Sequence, residues 1–195
     1  MAADAPTPTL TALLKKAAAA FPARRAVSVP GKIELTHADL DALVDAAAAR
    51  LAADAGVRPG HVVALSFPNT IELVIMFLAV IRARAVAAPL NPAYTQDEFE
   101  FYLPDSESRL LITNAEGNPA AQAAAAKLGL PHAAATLKDA AGPVHLAGLG
   151  CAAANGNANA NGSHSNKQDN EPSDVALFLH TSGTTSRPKG VPLTQ

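Results

Sequence analysis

The chain has 195 residues, a net charge of −2 and 49% hydrophobic residues, enough for one core-bearing domain or a domain with an added piece. Alanine accounts for 45 of them, so much of the apolar content favours helix while burying little surface. The near-neutral charge excludes an electrostatic nucleic-acid binder, and a lone cysteine, Cys151, excludes an intrachain disulfide framework or a cysteine-rich metal site.

The first ten residues carry Asp4 and no basic residue, unlike a targeting leader, so a cytoplasmic, reducing setting is expected. Leu10 to Ala20 predicts a short helix closed by Phe21-Pro22. Val27 to Val29 and Lys32 to Leu35 predict two short strands around the turn dipeptide Pro30-Gly31. Thr36, with Asp39 three residues on, opens a helix to about Ala53, striped by Leu40, Leu43, Val44 and Leu51. A strand follows in HVVALSF. Asn69 then opens a helix from Thr70 to Arg84, with Glu72 at the capping-box position. That helix is apolar nearly all round, which predicts an interior position; its run from Ile71 to Ile81 is too short to span a bilayer and holds Glu72.

Val86 to Leu90 is a brief strand ended by Asn91-Pro92, and Thr95 with Glu98 is a second capping box opening a helix of roughly eight residues. Arg109 to Thr113 predicts a buried strand, and Asn118 to Leu128 an alanine-rich helix stopped by Gly129. Pro131 to Leu149 gives no clear pattern. The alternation argues an α/β fold, a layered parallel sheet with helices. Composition changes from Gly148 to Ser173, which holds small and polar residues and almost no large apolar ones. Such a stretch gains too little burial to offset its ordering entropy and is expected to be a flexible linker or loop. The expected organisation is thus an α/β subdomain over 1–147, a linker over 148–173 and the start of a further unit over 174–195.

Val175 to Leu179 is a strand leading into TSGTTSRPKG. Thr181, Ser182, Thr184, Thr185 and Ser186 place five hydroxyls within six residues. Gly183 and Gly190 permit unusual backbone angles, so that consecutive N–H groups can face inward as an anion nest. Arg187 and Lys189 add positive charge, and Pro188 stiffens the approach to Lys189. Polyphosphate is the natural ligand. The P-loop pattern G-x-x-x-x-G-K-[ST] fails at two places, because Pro188 stands for the second glycine and Gly190 for the magnesium-facing hydroxyl. A solvated Ser/Thr-rich turn is the plain alternative.

TSGTTSRPKG resembles the signature loop of the adenylate-forming enzymes, the acyl-CoA synthetase and luciferase superfamily, with Ser186 where glycine is usual. Leu35 to Ala52, His61 to Thr95 and Asp105 to Thr113 resemble the family's upstream blocks, so the likeness runs along the whole chain. FLHTSGTTSRPKGVPLT with IRARAVAAPLNPAYT resembles the plant and fungal oxalate–CoA ligase branch. The resemblance implies the N-terminal portion of the large domain. It also implies an acid–CoA ligase that uses ATP, Mg2+ and coenzyme A on a small carboxylic acid. Thr181, Ser182, Gly183, Thr184, Thr185 and Lys189 would hold the ATP phosphates. Oxalate is the expected acid; a 4-coumarate-type or fatty acyl-CoA ligase and a non-catalytic truncated product stay as alternatives. The family's magnesium carboxylate, ribose aspartate and late catalytic lysine belong to motifs beyond Gln195, so the 195 residues alone are expected not to ligate. No catalytic or metal-ligating residue is expected within them, and a C-terminal signal in those later residues would direct the protein to peroxisomes.

Other candidates have simple structural readings. The histidines at 37, 61, 132, 145 and 164 show no ligand spacing, and His180 beside the loop is expected to pack at the strand end, with contact to nucleotide or acyl substrate the alternative. Cys151 has no fixed base nearby. Arg82 and Arg84 complement a helix C-terminus and meet solvent, and Glu98, Glu100, Asp105 and Glu107 are expected to form a solvated acidic face, with metal binding the alternative.

Overall fold

Strand–helix alternation builds an α/β sheet layered between helices. The computed structural model describes residues 8–139, 142–149, 169–181 and 188–195. Helix α1 (Leu10–Ala20) starts at Thr9, whose Oγ1 accepts a hydrogen bond from Ala12 N at 3.2 Å. Strands β1 (Arg25–Val29) and β2 (Ile33–Thr36) form a separate antiparallel hairpin. Both Thr–acid capping boxes form. Thr36 caps α2 (His37–Ala53) with Asp39, and Thr95 caps α4 (Gln96–Asp105) with Glu98. Helix α4 runs ten residues, with Pro104 in its last turn, where the missing N–H costs one ladder bond.

The central sheet orders β7-β6-β5-β3-β4-β8-β9 among the described residues. β3 (Val62–Ser66), β4 (Val86–Pro89), β5 (Ser108–Asn114), β6 (His132–Thr136) and β8 (Val175–Thr181) run parallel. The edges, β7 (His145–Ala147) and β9 (Lys189–Thr194), are antiparallel to their neighbours. Strand alternation splits the core in two. Val63, Leu65, Leu110 and Ile112 pack with Leu40, Val44, Leu51, Ile75 and Met76 of α2 and α3 (Ile71–Arg82). Ala64 and Leu111 face the other way, onto Phe99 and Leu103 of α4 and the alanines of α5 (Pro119–Leu128). Gly129 ends α5 at φ 66, a left-handed helix cap.

Three expectations are corrected. The Asn69–Glu72 capping box does not form. Thr70 is the N-cap of α3 without a side-chain cap bond, and Glu72 Oε1 instead accepts from Leu137 N at 3.4 Å, tying α3 to the end of β6. The unpatterned stretch after Pro131 supplies β6 and β7. Arg82 and Arg84 do more than meet solvent. Arg82 reaches α2, donating to Asp45 Oδ1 (2.8 Å) and Asp41 O (3.1 Å), and its side chain is only 7% exposed. Its Nη2 also lies 2.7 Å from Asp41 Oδ1, an ion pair whose angles fall outside hydrogen-bond geometry.

Candidate functional site

The hydroxyl-rich loop is carried by a hairpin. β8 and β9 pair antiparallel from Val175↔Thr194 to Thr181↔Lys189, so the last pair holds the two ends of the loop side by side. Thr181 Oγ1 donates to Lys189 O at 3.5 Å, and both residues are exposed. Among the described residues Lys189 pairs with no carboxylate, so its ammonium is free to meet an anion at the hairpin tip. Ser182, Gly183, Thr184, Thr185, Ser186 and Arg187 lie outside the described residues, as do Cys151, His164 and residues 150–168 of the expected linker.

Lys189 and Gly190 belong to strand β9 rather than to the loop expected from the sequence. Gly190 has no positive φ. Its need for glycine is spatial, since an added Cβ would sit 2.2 Å from Phe178 Cζ, across the ladder. The Phe178 ring occupies the room that a side chain at 190 would take.

His180 directly precedes the loop and its side chain is 5% exposed. It packs on Tyr102 (ring centroids 4.6 Å) and Phe178 (5.2 Å), and its Nε2 lies 2.9 Å from Asp105 Oδ2. Tyr102 in turn stacks on Tyr94 at 4.7 Å. Packing at the strand end thus describes His180, and the partner Asp105 is what the sequence reading missed.

The acidic face is partnered rather than merely solvated. Hydrogen bonds from Thr95 hold Glu98 below the usual carboxylate range, and Lys127 does the same for Glu100 at 2.5 Å. No group of three His, Cys, Asp or Glu side chains among the described residues could hold a metal ion. His132 sits half-buried at the start of β6, with Nε2 2.9 Å from Thr113 Oγ1, and burial lowers its pKa.

A family model described as AMP-binding enzyme matches residues 14–195. The chain belongs to the AMP-binding enzyme family. An oxalate–CoA ligase of Arabidopsis thaliana is 59% identical over 187 residues, covering 96% of this chain and 35% of that protein. A probable CoA ligase of Humulus lupulus is 59% identical over 195 residues, covering 96% and 34%. The chain therefore spans about a third of the length of these curated relatives. The ATP-bound crystal structure of MatB from Rhodopseudomonas palustris matches with a TM-score of 0.65 and 29% identity, over 88% of this chain and 32% of that one. The AMP-binding fold thus accounts for the layered sheet and its helices. Among the described residues no helix is long and apolar enough to cross a membrane.

Proposed function

We propose that this chain is the phosphate-gripping part of an ATP-dependent acid–CoA ligase, acting on oxalate. The reading is carried by the hairpin tip: Thr181 and an exposed Lys189, which has no carboxylate partner among the described residues, close the two ends of a loop rich in hydroxyls. A cation with no counter-ion among the described residues, at the end of a hydroxyl-rich sequence, suits a polyphosphate. The 59% identity to an oxalate–CoA ligase supports the choice of acid.

In this reading Thr181, Ser182, Gly183, Thr184, Thr185 and Lys189 hold the ATP phosphates. Lys189 neutralises β- and γ-phosphate oxygens, and the hydroxyls and backbone N–H groups orient the α-phosphate. A substrate carboxylate oxygen then attacks the α-phosphorus, its bond to pyrophosphate breaks, and an acyl adenylate forms. The coenzyme A thiol gives up its proton, attacks the acyl carbon and releases AMP. Positioning and charge neutralisation supply most of the acceleration in such phosphoryl chemistry. Mg2+ would screen the phosphate charge; its carboxylate ligand is not assigned to any described residue. Residues 1–147 form one α/β subdomain, 148–173 connect, and 174–195 open the next unit. The cytoplasm is the expected compartment, with peroxisomes the alternative.

The test uses the complete gene product. Lys189→Ala should slow oxalate-dependent ATP–pyrophosphate exchange on the order of a hundredfold. Unchanged exchange overturns the loop assignment, and equal or greater turnover of 4-coumarate overturns the substrate.

A further inference from the structure

The hairpin's attachment to the sheet is unusual in a way the loop itself does not explain. β8 joins β4 through a single register pair, Ala87↔Leu177, whereas β3 and β4 share four. Ladder pairing therefore ties the hairpin to β4 at one point, and the side chains at its ends share in setting its tilt. Side-chain pairs stand at both ends of β8. At its start, Arg84 grips Asp174 with two hydrogen bonds, Nε to Oδ2 at 2.9 Å and Nη2 to Oδ1 at 2.8 Å. Glu171 adds a carboxylate 3.4 Å from the same Nη2. Asp174 O also accepts from Gln195 N at 3.1 Å, so one residue closes the base of both strands. At the other end His180, immediately before the loop, meets Asp105 of α4.

Arg84 stands at φ 57, in the left-handed region that disfavours any residue with a Cβ. It follows α3 at the corner leading into β4, its N donating to Ile81 O and its carbonyl accepting from Gly60 N. Glycine would satisfy that corner without strain. The arginine keeps the strained backbone and sends an 85% buried side chain to Asp174, since its side chain is 15% exposed. A bidentate guanidinium–carboxylate pair fixes direction as well as distance.

We propose that Arg84–Asp174 and His180–Asp105 are positioning pairs that set the tilt of the β8–β9 hairpin on the sheet. They thereby fix where Thr181 and Lys189 meet the nucleotide phosphates. Both pairs act through the hairpin backbone. The identity of the ligand rests on the ligase reading above, whereas the mechanical coupling does not.

The complete gene product is titrated with ATP, and hydrogen exchange is followed across 175–181 and 189–194. Arg84→Gly removes the guanidinium and relieves the backbone at once. It should weaken ATP binding roughly tenfold and speed exchange in β8, both beyond what its fall in thermal midpoint accounts for. His180→Phe keeps the ring packing on Tyr102 and Phe178 but drops the bond to Asp105, and should weaken ATP binding in the same direction. The swap of Arg84→Asp with Asp174→Arg should recover affinity, because aspartate tolerates the left-handed conformation. Unchanged affinity and exchange in Arg84→Gly overturn the proposal. So does a loss that tracks thermal stability and is not recovered by the swap. Wild-type protein that binds no ATP overturns the ligase reading, and this role of the pairs falls with it. Wild-type binding that the variants leave intact overturns the positioning pairs alone.

Discussion

Gly190 shows how a single hydrogen atom in place of a side chain shapes the hairpin. The Phe178 ring lies over it and continues edge-on to His180 at 5.2 Å between centroids. Gly190→Ala must displace the ring, because no real Cβ tolerates a 2.2 Å neighbour. Moving the ring disturbs its contact with His180, one residue from Thr181. The expected cost is about 1–2 kcal/mol of stability, typical of overpacking. Thermal unfolding of a double-mutant cycle with Phe178→Ala checks it. The cost of Gly190→Ala should largely vanish in that background; an equal cost in both would place the strain elsewhere. Arg84 makes the complementary point. Its left-handed backbone has no signature in sequence, since arginine there is read by default as an ordinary helix-end cation.

Helices declared themselves in the sequence where short-range chemistry decides, and failed to where tertiary contact decides. Thr36–Asp39 and Thr95–Glu98 are local boxes, closed within three residues, and both form. Asn69–Glu72 has the same spacing, yet Glu72 is drawn away to Leu137 N, and Thr70 caps α3 without a side-chain bond. Thr36→Ala should thus cost about 1 kcal/mol in urea unfolding. Thr70→Ala should cost clearly less, its Oγ1 having no partner among the described residues. Equal losses would refute this account of the two caps. The strands divide in the same way. β3 and β5 carry large apolar residues and were legible. β6 is HAAAT, with little intrinsic strand preference, and exists because β5 offers it a parallel edge. β9 contains Gly190 and Pro192, residues that read as loop; an edge strand tolerates both. The hydroxyls and cations of the loop can be read directly from the sequence, and their proposed phosphate role rests on that reading. The hairpin presenting the loop and the pairs bracing it were not legible there, because their partners lie at least 75 positions away along the chain.

The whole molecule should lose stability toward acid in two steps, because two kinds of group are perturbed in the same direction. Burial holds His132 below its ordinary value of 6.5. As pH falls through 6.5, the unfolded chain takes up a proton that the folded chain refuses. Stability therefore falls with pH until the folded pKa is reached, and is flat below it for this group. Hydrogen bonding from Arg84 holds Asp174 below its ordinary 3.8, and bonds from Thr36 do the same for Asp39. Each carboxylate contributes stability that is complete above its unfolded value and is lost as pH drops through the lowered folded one. The thermal midpoint should accordingly decline below about 6.5 and decline again below about 4. His132→Gln should flatten the first decline while keeping a polar partner for Thr113. Asp174→Asn should lower stability at neutral pH and shrink the second decline, leaving the first in place. A His132→Gln profile parallel to wild type between pH 6.5 and 5 would show that the half-buried imidazole on β6 is not what links folding to pH in that range.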